Sequence, residues 1–388
     1  MNYDEMALEL HARSRGKLGV HSKVELKTVD DMSTAYSPGV AAVCREIARD
    51  PSRVYDLTSK GNMVAVVSDG SAVLGLGNIG AEGSMPVMEG KALLFKELAD
   101  IDAFPICIDA HESDEIISIV RAISPTFGGI NLEDIAAPKC FEVEDGLQDL
   151  GIPVFHDDQH GTAVVVLAAM VNALRVVNKE FSDVKVVFSG AGASGIACCK
   201  ILQVMGVENI ILVDTRGIIY EGRDNLTPAK EEMAIITNRE GIKGDVHDAI
   251  EGADVFIGLS IANLLTADDI RKMSSDAIVL PMANPDPEIM PEEAFRGGAA
   301  VVGTGRSDLP NQINNVLAFP GILRGALDVR AERITTSMKV AAGFAISDLI
   351  PEPTPDEIIP YALNTEVVPA VAKAVGDAWQ QEISQQSQ

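Results

Sequence analysis

The sequence predicts an α/β fold in two domains with a helical C-terminal tail. Three observations carry that prediction. The chain has 388 residues, which suits two ordinary domains better than one very large one. From Val184 onward, short apolar runs alternate with helical patterns, as strands of a parallel sheet buried on both faces do. The run Val184–Ser189 leads directly into Gly190-Ala191-Gly192-Ala193-Ser194-Gly195, a glycine-rich strand-to-helix turn.

Taken in order, residues 1 to about 60 read as helical, with a break at Ser37-Pro38-Gly39. Met63–Val67 is a strand. Asp69-Gly70 is a turn signal and Ala72–Leu76 a return strand, so the pair predicts a hairpin. A helix over Gly90–Ala99 follows, then a strand over Phe104–Asp109 and a helix over Asp114–Ile123. Gly128–Leu132 and Ile152–His156 are strands whose ends present carboxylates. Thr162–Val177 is a long apolar helix, and the polar stretch 178–183 resembles a linker. Strands are expected over Ile210–Asp214, Ala253–Ser260, Ala277–Leu280 and Ala299–Gly303. The tail from Ile334 is helical, interrupted by Pro351, Pro353 and Pro355, and ends in a frayed Gln/Ser stretch.

Composition narrows the function. Hydrophobic residues make up 47% of the chain, enough for a sizeable core. With 31 basic and 57 acidic residues the formal net charge is −26, which argues against nucleic acid and anionic membrane as partners. The five cysteines are scattered and odd in number, so a reducing cytoplasm with buried thiols is expected rather than a disulfide framework. The N-terminus lacks a signal-peptide pattern, and the apolar run Ala163–Val171 is too short to span a bilayer.

Two stretches match G-x-G-x-x-G: Gly75–Gly80 and Gly190–Gly195. Context favours the second. Gly190 permits the tight turn, Gly192 clears the pyrophosphate path, and Gly195 lets the helix pack closely on the strand. Asp214 lies 19 residues after Gly195, where a ribose-binding acid belongs. The acid favours NAD over NADP, and Arg216 beside it complicates that preference. The first copy lacks this context and is read as a backbone loop near the substrate.

Glu133-Asp134 and Asp157-Asp158 each follow a predicted strand, so acids from two strand ends could converge on one hard cation, Mg²⁺ or Mn²⁺. Taken alone they also suit caps and surface charges. His156 and His160 lack a third soft ligand for zinc, and His160 reads as a hydrogen-bonding neighbour. Tyr36 stands at a turn before a helix. Lys91 is expected in a helix's first turn, where the helix N-terminus and a nearby cation would lower its pKa toward that of a base.

Together, Tyr36-Ser37-Pro38-Gly39-Val40, the Gly75–Gly80 loop, Met88-Glu89-Gly90-Lys91-Ala92, Asn131–Ile135, His156–Thr162, Gly190–Gly195, Asn284–Glu288 and Asn314–Gly321 keep the order found in the malic enzymes. The chain resembles their short prokaryotic form over nearly its whole length. The resemblance implies Tyr36 as general acid and Lys91 as general base. It implies Glu133, Asp134 and Asp158 as metal ligands, with Asp157 beside them. Gly190, Gly192, Ala193, Ser194, Gly195 and Asp214 would hold the dinucleotide, Asn284 would lie between nicotinamide and substrate, and Asn315 would bind a substrate carboxylate. The larger malic enzymes carry a substrate-binding arginine in the loop that Ser71-Ala72-Val73 occupies here, so that contact must come from elsewhere, such as backbone amides.

The resulting expectation is an N-terminal α/β substrate/metal domain, residues 1–161, followed by a Rossmann-type NAD(P)-binding domain with the C-terminal helices, residues 162–388. The implied activity is oxidative decarboxylation of L-malate to pyruvate and CO₂ with NAD or NADP and Mg²⁺ or Mn²⁺, in a cytoplasmic homodimer with residues 1–50 in the interface. A malolactic reaction and a catalytically silent dinucleotide sensor are the alternatives.

Overall fold

The computed structural model describes residues 3–73 and 75–386. Two parallel sheets organise it. The first has strands β1 (Met63–Ser68), β2 (Asp102–Cys107), β3 (Gly129–Leu132) and β4 (Val154–His156), in the order β2-β1-β3-β4. The second comprises β5 (Lys185–Ser189), β6 (Asn209–Asp214), β7 (Gly217–Ile218), β8 (Val255–Gly258), β9 (Ile278–Pro281) and β10 (Val301–Val302). Its order is β10-β9-β8-β5-β6-β7, parallel throughout except for the short β6–β7 pair. The order reverses between β5 and β8, and a ligand crevice opens beyond the strand ends at such a switch point.

The apolar runs form these strands because both faces are covered: Val64–Val67 and Val186–Phe188 are fully buried. The Thr162–Val177 helix runs through the core, with Ala163–Met170 all buried. Together with residues 157–161 it is long and apolar enough to cross a membrane, longer than the Ala163–Val171 run suggests; its burial inside the protein is that of a core helix. The helices Thr336–Ser347 and Val367–Gln386 close the core, with the Pro351–Pro355 stretch between them.

Three local expectations fail. No hairpin follows β1: its neighbours are the parallel strands β2 and β3, and the described part of Ala72–Leu76 contributes a single bridge, Val73 to Gly77, while Leu74 lies outside the described residues. Gly70, Gly75, Gly77 and Gly80 all have positive φ, so the segment is a tight loop. The next helix spans Gly80–Ala99 and begins ten residues before Gly90, carrying Pro86 in its interior. Of the thiols, Cys44 is exposed, whereas Cys140, Cys198 and Cys199 are buried.

Candidate active site

The C-terminal ends of β3 and β4 bring the predicted carboxylates together. Glu133 and Asp134 follow β3, and Asp157 and Asp158 open a π-helical turn, Asp157–Gly161, directly after β4. One carboxylate oxygen from each of Glu133, Asp134 and Asp158 lies within 4.8 Å of the others. Asp134 Oδ2 is buried without a hydrogen-bond partner. An all-oxygen cluster holding an orphaned carboxylate oxygen fits a hard divalent cation. Burial and mutual repulsion raise the pKa of all three acids, as expected where positive charge is wanting. His156 and His160 stand outside this cluster. Lys339 donates to His160 Nδ1 over 3.1 Å, so His160 Nε2 carries the proton facing Glu144, 2.9 Å away. This buried chain props the turn that carries Asp157 and Asp158.

Lys91 lies beneath the cluster, in the middle of the Gly80–Ala99 helix. Its Nζ is 2.6 Å from Asp157 Oδ2, 2.9 Å from Glu133 Oε1 and 4.1 Å from the centroid of the Phe319 ring. Of the two causes expected to lower its pKa, the helix N-terminus is not beside it, since the helix begins at Gly80. Burial opposes the charge, but Asp157 and Glu133 outweigh it and hold the ammonium above its ordinary range. Asn315 donates to the same Asp157 carboxylate, and burial pushes Asp157 up to about 7.

A cleft of about 790 Å³ joins Lys91, Glu133, Asp134 and Asp158 to Ser194, Asn284 and Asn315. Tyr36 is not among its lining residues; the side chain is 72% exposed on the N-terminal helical segment. One further charged residue lines the cleft unanticipated: Lys17, whose Nζ donates to the carbonyl of Pro86 over 2.7 Å. No local pattern marks it, because the contact bridges 69 residues of sequence.

The second cavity, about 670 Å³, opens at the switch point and is lined by Ser189, Gly190, Gly192, Asp214, Lys230 and Ser260, among others. A Cβ on Gly190 (φ +110°) would lie 2.4 Å from the Leu259 carbonyl oxygen, and one on Gly195 would lie 1.9 Å from that of Gly190. Gly192 precedes the helix Ala193–Val204, and a Cβ there would point into open space. This leaves the helix N-terminus bare for a pyrophosphate. The Ser194 hydroxyl donates to the Asp158 carbonyl over 2.7 Å, tying the glycine-rich turn to a cluster carboxylate's backbone. Asp214 stands at the end of β6 but is not free: Arg223 binds it bidentately at 3.0 and 2.6 Å, and Lys230 at 2.6 Å. The Gly75–Gly80 loop stays outside this cavity; Gly75 packs against Asn284 and borders the catalytic cleft.

Comparisons with known proteins cover both halves. A family model described as malic enzyme, N-terminal domain, matches residues 15–113 and 110–148, and one described as malic enzyme, NAD binding domain, matches residues 159–378. The chain is 55% identical over 382 residues to the bifunctional malic/malolactic enzyme of Bacillus subtilis, covering 97% of this chain and 93% of that protein. It is 57% identical over 366 residues to the NAD-dependent malic enzyme of Geobacillus stearothermophilus, covering 94% and 76%. The crystal structure of an NAD-dependent malic enzyme from Thermotoga maritima superposes with a TM-score of 0.93 at 51% identity, covering 95% of this chain and 98% of that one.

Proposed function

The chain belongs to the malic enzyme family, and from that membership and the site's geometry we propose that it oxidatively decarboxylates L-malate to pyruvate and CO₂ with reduction of NAD⁺ or NADP⁺. The observation that carries this reading is the buried lysine set among carboxylates within one cleft that also reaches the glycine-rich turn.

Glu133, Asp134 and Asp158 would hold Mg²⁺ or Mn²⁺. When bound, the ion supplies a Lewis acid for the substrate oxygens, and the dinucleotide supplies the hydride acceptor. The chain's own groups do the rest. Negative charge around Lys91 keeps it protonated in the free protein, and neutralising that charge lowers its pKa toward the range of a base. Neutral Lys91 takes the C2 hydroxyl proton as hydride departs. Asp157, held by Asn315, fixes the lysine's position. Loss of CO₂ from the oxaloacetate so formed leaves enolpyruvate, whose methylene carbon Tyr36 protonates. Asn284 and Asn315 orient substrate at the cleft wall, and Gly190, Gly192, Ala193, Ser194, Gly195 and Asp214 hold the dinucleotide.

Tyr36 is largely exposed, and so are Tyr3, Leu8, Val20, Val24, Leu26 and Val29 on the same N-terminal segment. So many exposed apolar side chains on one segment suit an interface. We propose a homodimer in which Lys17 stays at its own chain's cleft and the chain beyond it reaches the partner's cleft, delivering Tyr36 to it. A reducing cytoplasm is the proposed location, since the thiols are free. The neutralised Asp214 removes its simple repulsion of a 2′-phosphate, so both dinucleotides are proposed as substrates.

The name of the Bacillus subtilis relative favours a second reading, malolactic conversion of malate to lactate with the dinucleotide recycled. A dinucleotide sensor would have no use for a lysine buried at such cost among four acids. Absorbance at 340 nm with L-malate and Mn²⁺, followed by assay of pyruvate and lactate, separates the readings. Reduced dinucleotide matched by pyruvate is expected; lactate without net absorbance change would establish the malolactic reaction instead.

A further inference from the structure

The proposed substrate is a dianion, and the cleft that would receive it is lined by two cationic side chains, Lys91 and Lys17. Lys91 is committed to Asp157 and Glu133. Lys17 is not committed to a carboxylate: its Nζ donates to the Pro86 carbonyl at 2.7 Å, and its backbone N–H, rather than its ammonium, donates to Glu89 Oε2 at 3.1 Å.

The position is built into the fold. Gly16 has φ +95°, and a Cβ there would lie 2.6 Å from Glu89 Oε1, so the chain turns tightly around that carboxylate. The Lys17 side chain then lies back along the Gly80–Ala99 helix to Pro86. A Cβ on Gly90 would stand 3.3 Å from Lys17 Nζ, so the bare backbone beside Lys91 is what lets the ammonium settle there. Both ends of Lys17 are therefore fixed to one stretch of the helix that carries Lys91. Partial burial lowers its pKa, against the pull of Glu89, consistent with an ammonium short of countercharge.

We propose that Lys17 binds the substrate carboxylate that the divalent ion does not hold, supplying from the N-terminal segment the cation that the Ser71-Ala72-Val73 loop lacks. The proposal rests on the malate reading. A 2-hydroxy acid presents its hydroxyl and adjacent carboxylate to the metal, and a second carboxylate reaching the cleft mouth needs its own charge-assisted donor. Lys17 is thus a substrate-binding residue that selects dicarboxylates over monocarboxylates.

The test uses the full-length protein with Mn²⁺, NAD⁺ and L-malate, comparing wild type with Lys17→Met and Lys17→Arg. Two dead-end inhibitors accompany it: 2-methylmalate and 2-hydroxyisobutyrate. Neither has a hydrogen at C2 to lose as hydride, and they differ by one carboxylate. Lys17→Met is expected to raise KM for malate and Ki for 2-methylmalate by about tenfold or more, leaving Ki for 2-hydroxyisobutyrate and KM for NAD⁺ unchanged. Lys17→Arg is expected to restore most of the loss. A KM for malate within about twofold of wild type in Lys17→Met would overturn the proposal, at the scatter of a surface charge that binds nothing. So would equal weakening of both inhibitors, since that reports a deformed cleft. A wild type that leaves malate untouched would overturn the malate reading, and this assignment with it.

Discussion

The ammonium of Lys91 donates to the carboxylate of Asp157 across 2.6 Å, inside a space where Lys91 is 8% exposed and Asp157 not at all. The pair joins the middle of one helix to the turn after β4, so the proposed general base is positioned by the same segment that supplies Asp158 to the carboxylate cluster. Substituting Lys91 by Ala should lower kcat by about 10²- to 10⁴-fold, the usual worth of a positioned base. Dinucleotide affinity should hold, because Lys91 does not line the second cavity. Steady-state rates and NADH fluorescence titration measure the two separately.

Cation binding by the acids of the cluster is expected to depend on pH. Their pKa values are raised in the free protein, chiefly by burial, so at lower pH a proton competes for the oxygens a metal would use. Binding releases protons, and the apparent Mn²⁺ affinity should therefore rise with pH and flatten above about pH 8. Asp158→Asn should weaken Mn²⁺ by about a hundredfold or more, judged against the 10–100-fold losses seen when an outer-shell partner is removed. Titration of the Mn²⁺ EPR signal at several pH values checks both.

Gly161 has no room for a side chain. A Cβ there would stand 1.8 Å from Asp157 Oδ1 and 3.2 Å from the Asn315 Cβ. Gly161→Ala should displace the Asp157 carboxylate from Lys91 and Asn315. The expected cost is about 1–3 kcal/mol of stability, as for an overpacked core, together with most of the turnover. Thermal unfolding and kcat should fall together.

Much of this architecture is legible in the sequence because the strands are short apolar runs buried on both faces, and such runs need no long-range context. Acids after β3 and β4, and Asp214 at the end of β6, were placed by the same reasoning. Four features escape it. Met63–Val67 and Ala72–Leu76 read as a hairpin, but β1 pairs with parallel strands and Gly70, Gly75, Gly77 and Gly80 take positive φ. The helix expected from Gly90 begins at Gly80 and carries Pro86 in its interior, a residue that disfavours a helix by its local chemistry. The charge state of Lys91 depends on Asp157 and Glu133, which are distant in sequence and meet it only in the folded sheet. Lys17 is placed by a contact between distant segments, its ammonium reaching the Pro86 carbonyl 69 residues along the chain.

Lys230 shares Asp214 with Arg223 and is the expected determinant of dinucleotide preference. A 2′-phosphate would draw on Lys230, whereas a 2′-hydroxyl would rely on Asp214. Lys230→Ala should lower kcat/KM with NADP⁺ by about tenfold, the scale of one charge-assisted hydrogen bond, and change that with NAD⁺ much less. Parallel assays with the two dinucleotides decide it.

If the partner subunit supplies the acid, a site with an intact Lys91 can borrow an intact tyrosine from across the dimer. Tyr36→Phe and Lys91→Ala homodimers should each be nearly inactive, while a mixture refolded or co-expressed to form hybrids should regain activity, with one intact site in each hybrid dimer. Activity that stays at the level of the separate variants would place Tyr36 and Lys91 of one chain in the same site.

The Glu133, Asp134 and Asp158 cluster beside Lys91 is proposed as a metal-dependent site for malate oxidation and decarboxylation. Its most direct test strips the protein of metal with EDTA and follows reduced dinucleotide and pyruvate from L-malate as Mn²⁺ is returned. The predicted result is no turnover without metal, and saturable recovery with equal amounts of the two products. Full activity in the stripped protein, or reduced dinucleotide accumulating with oxaloacetate in place of pyruvate, would contradict it.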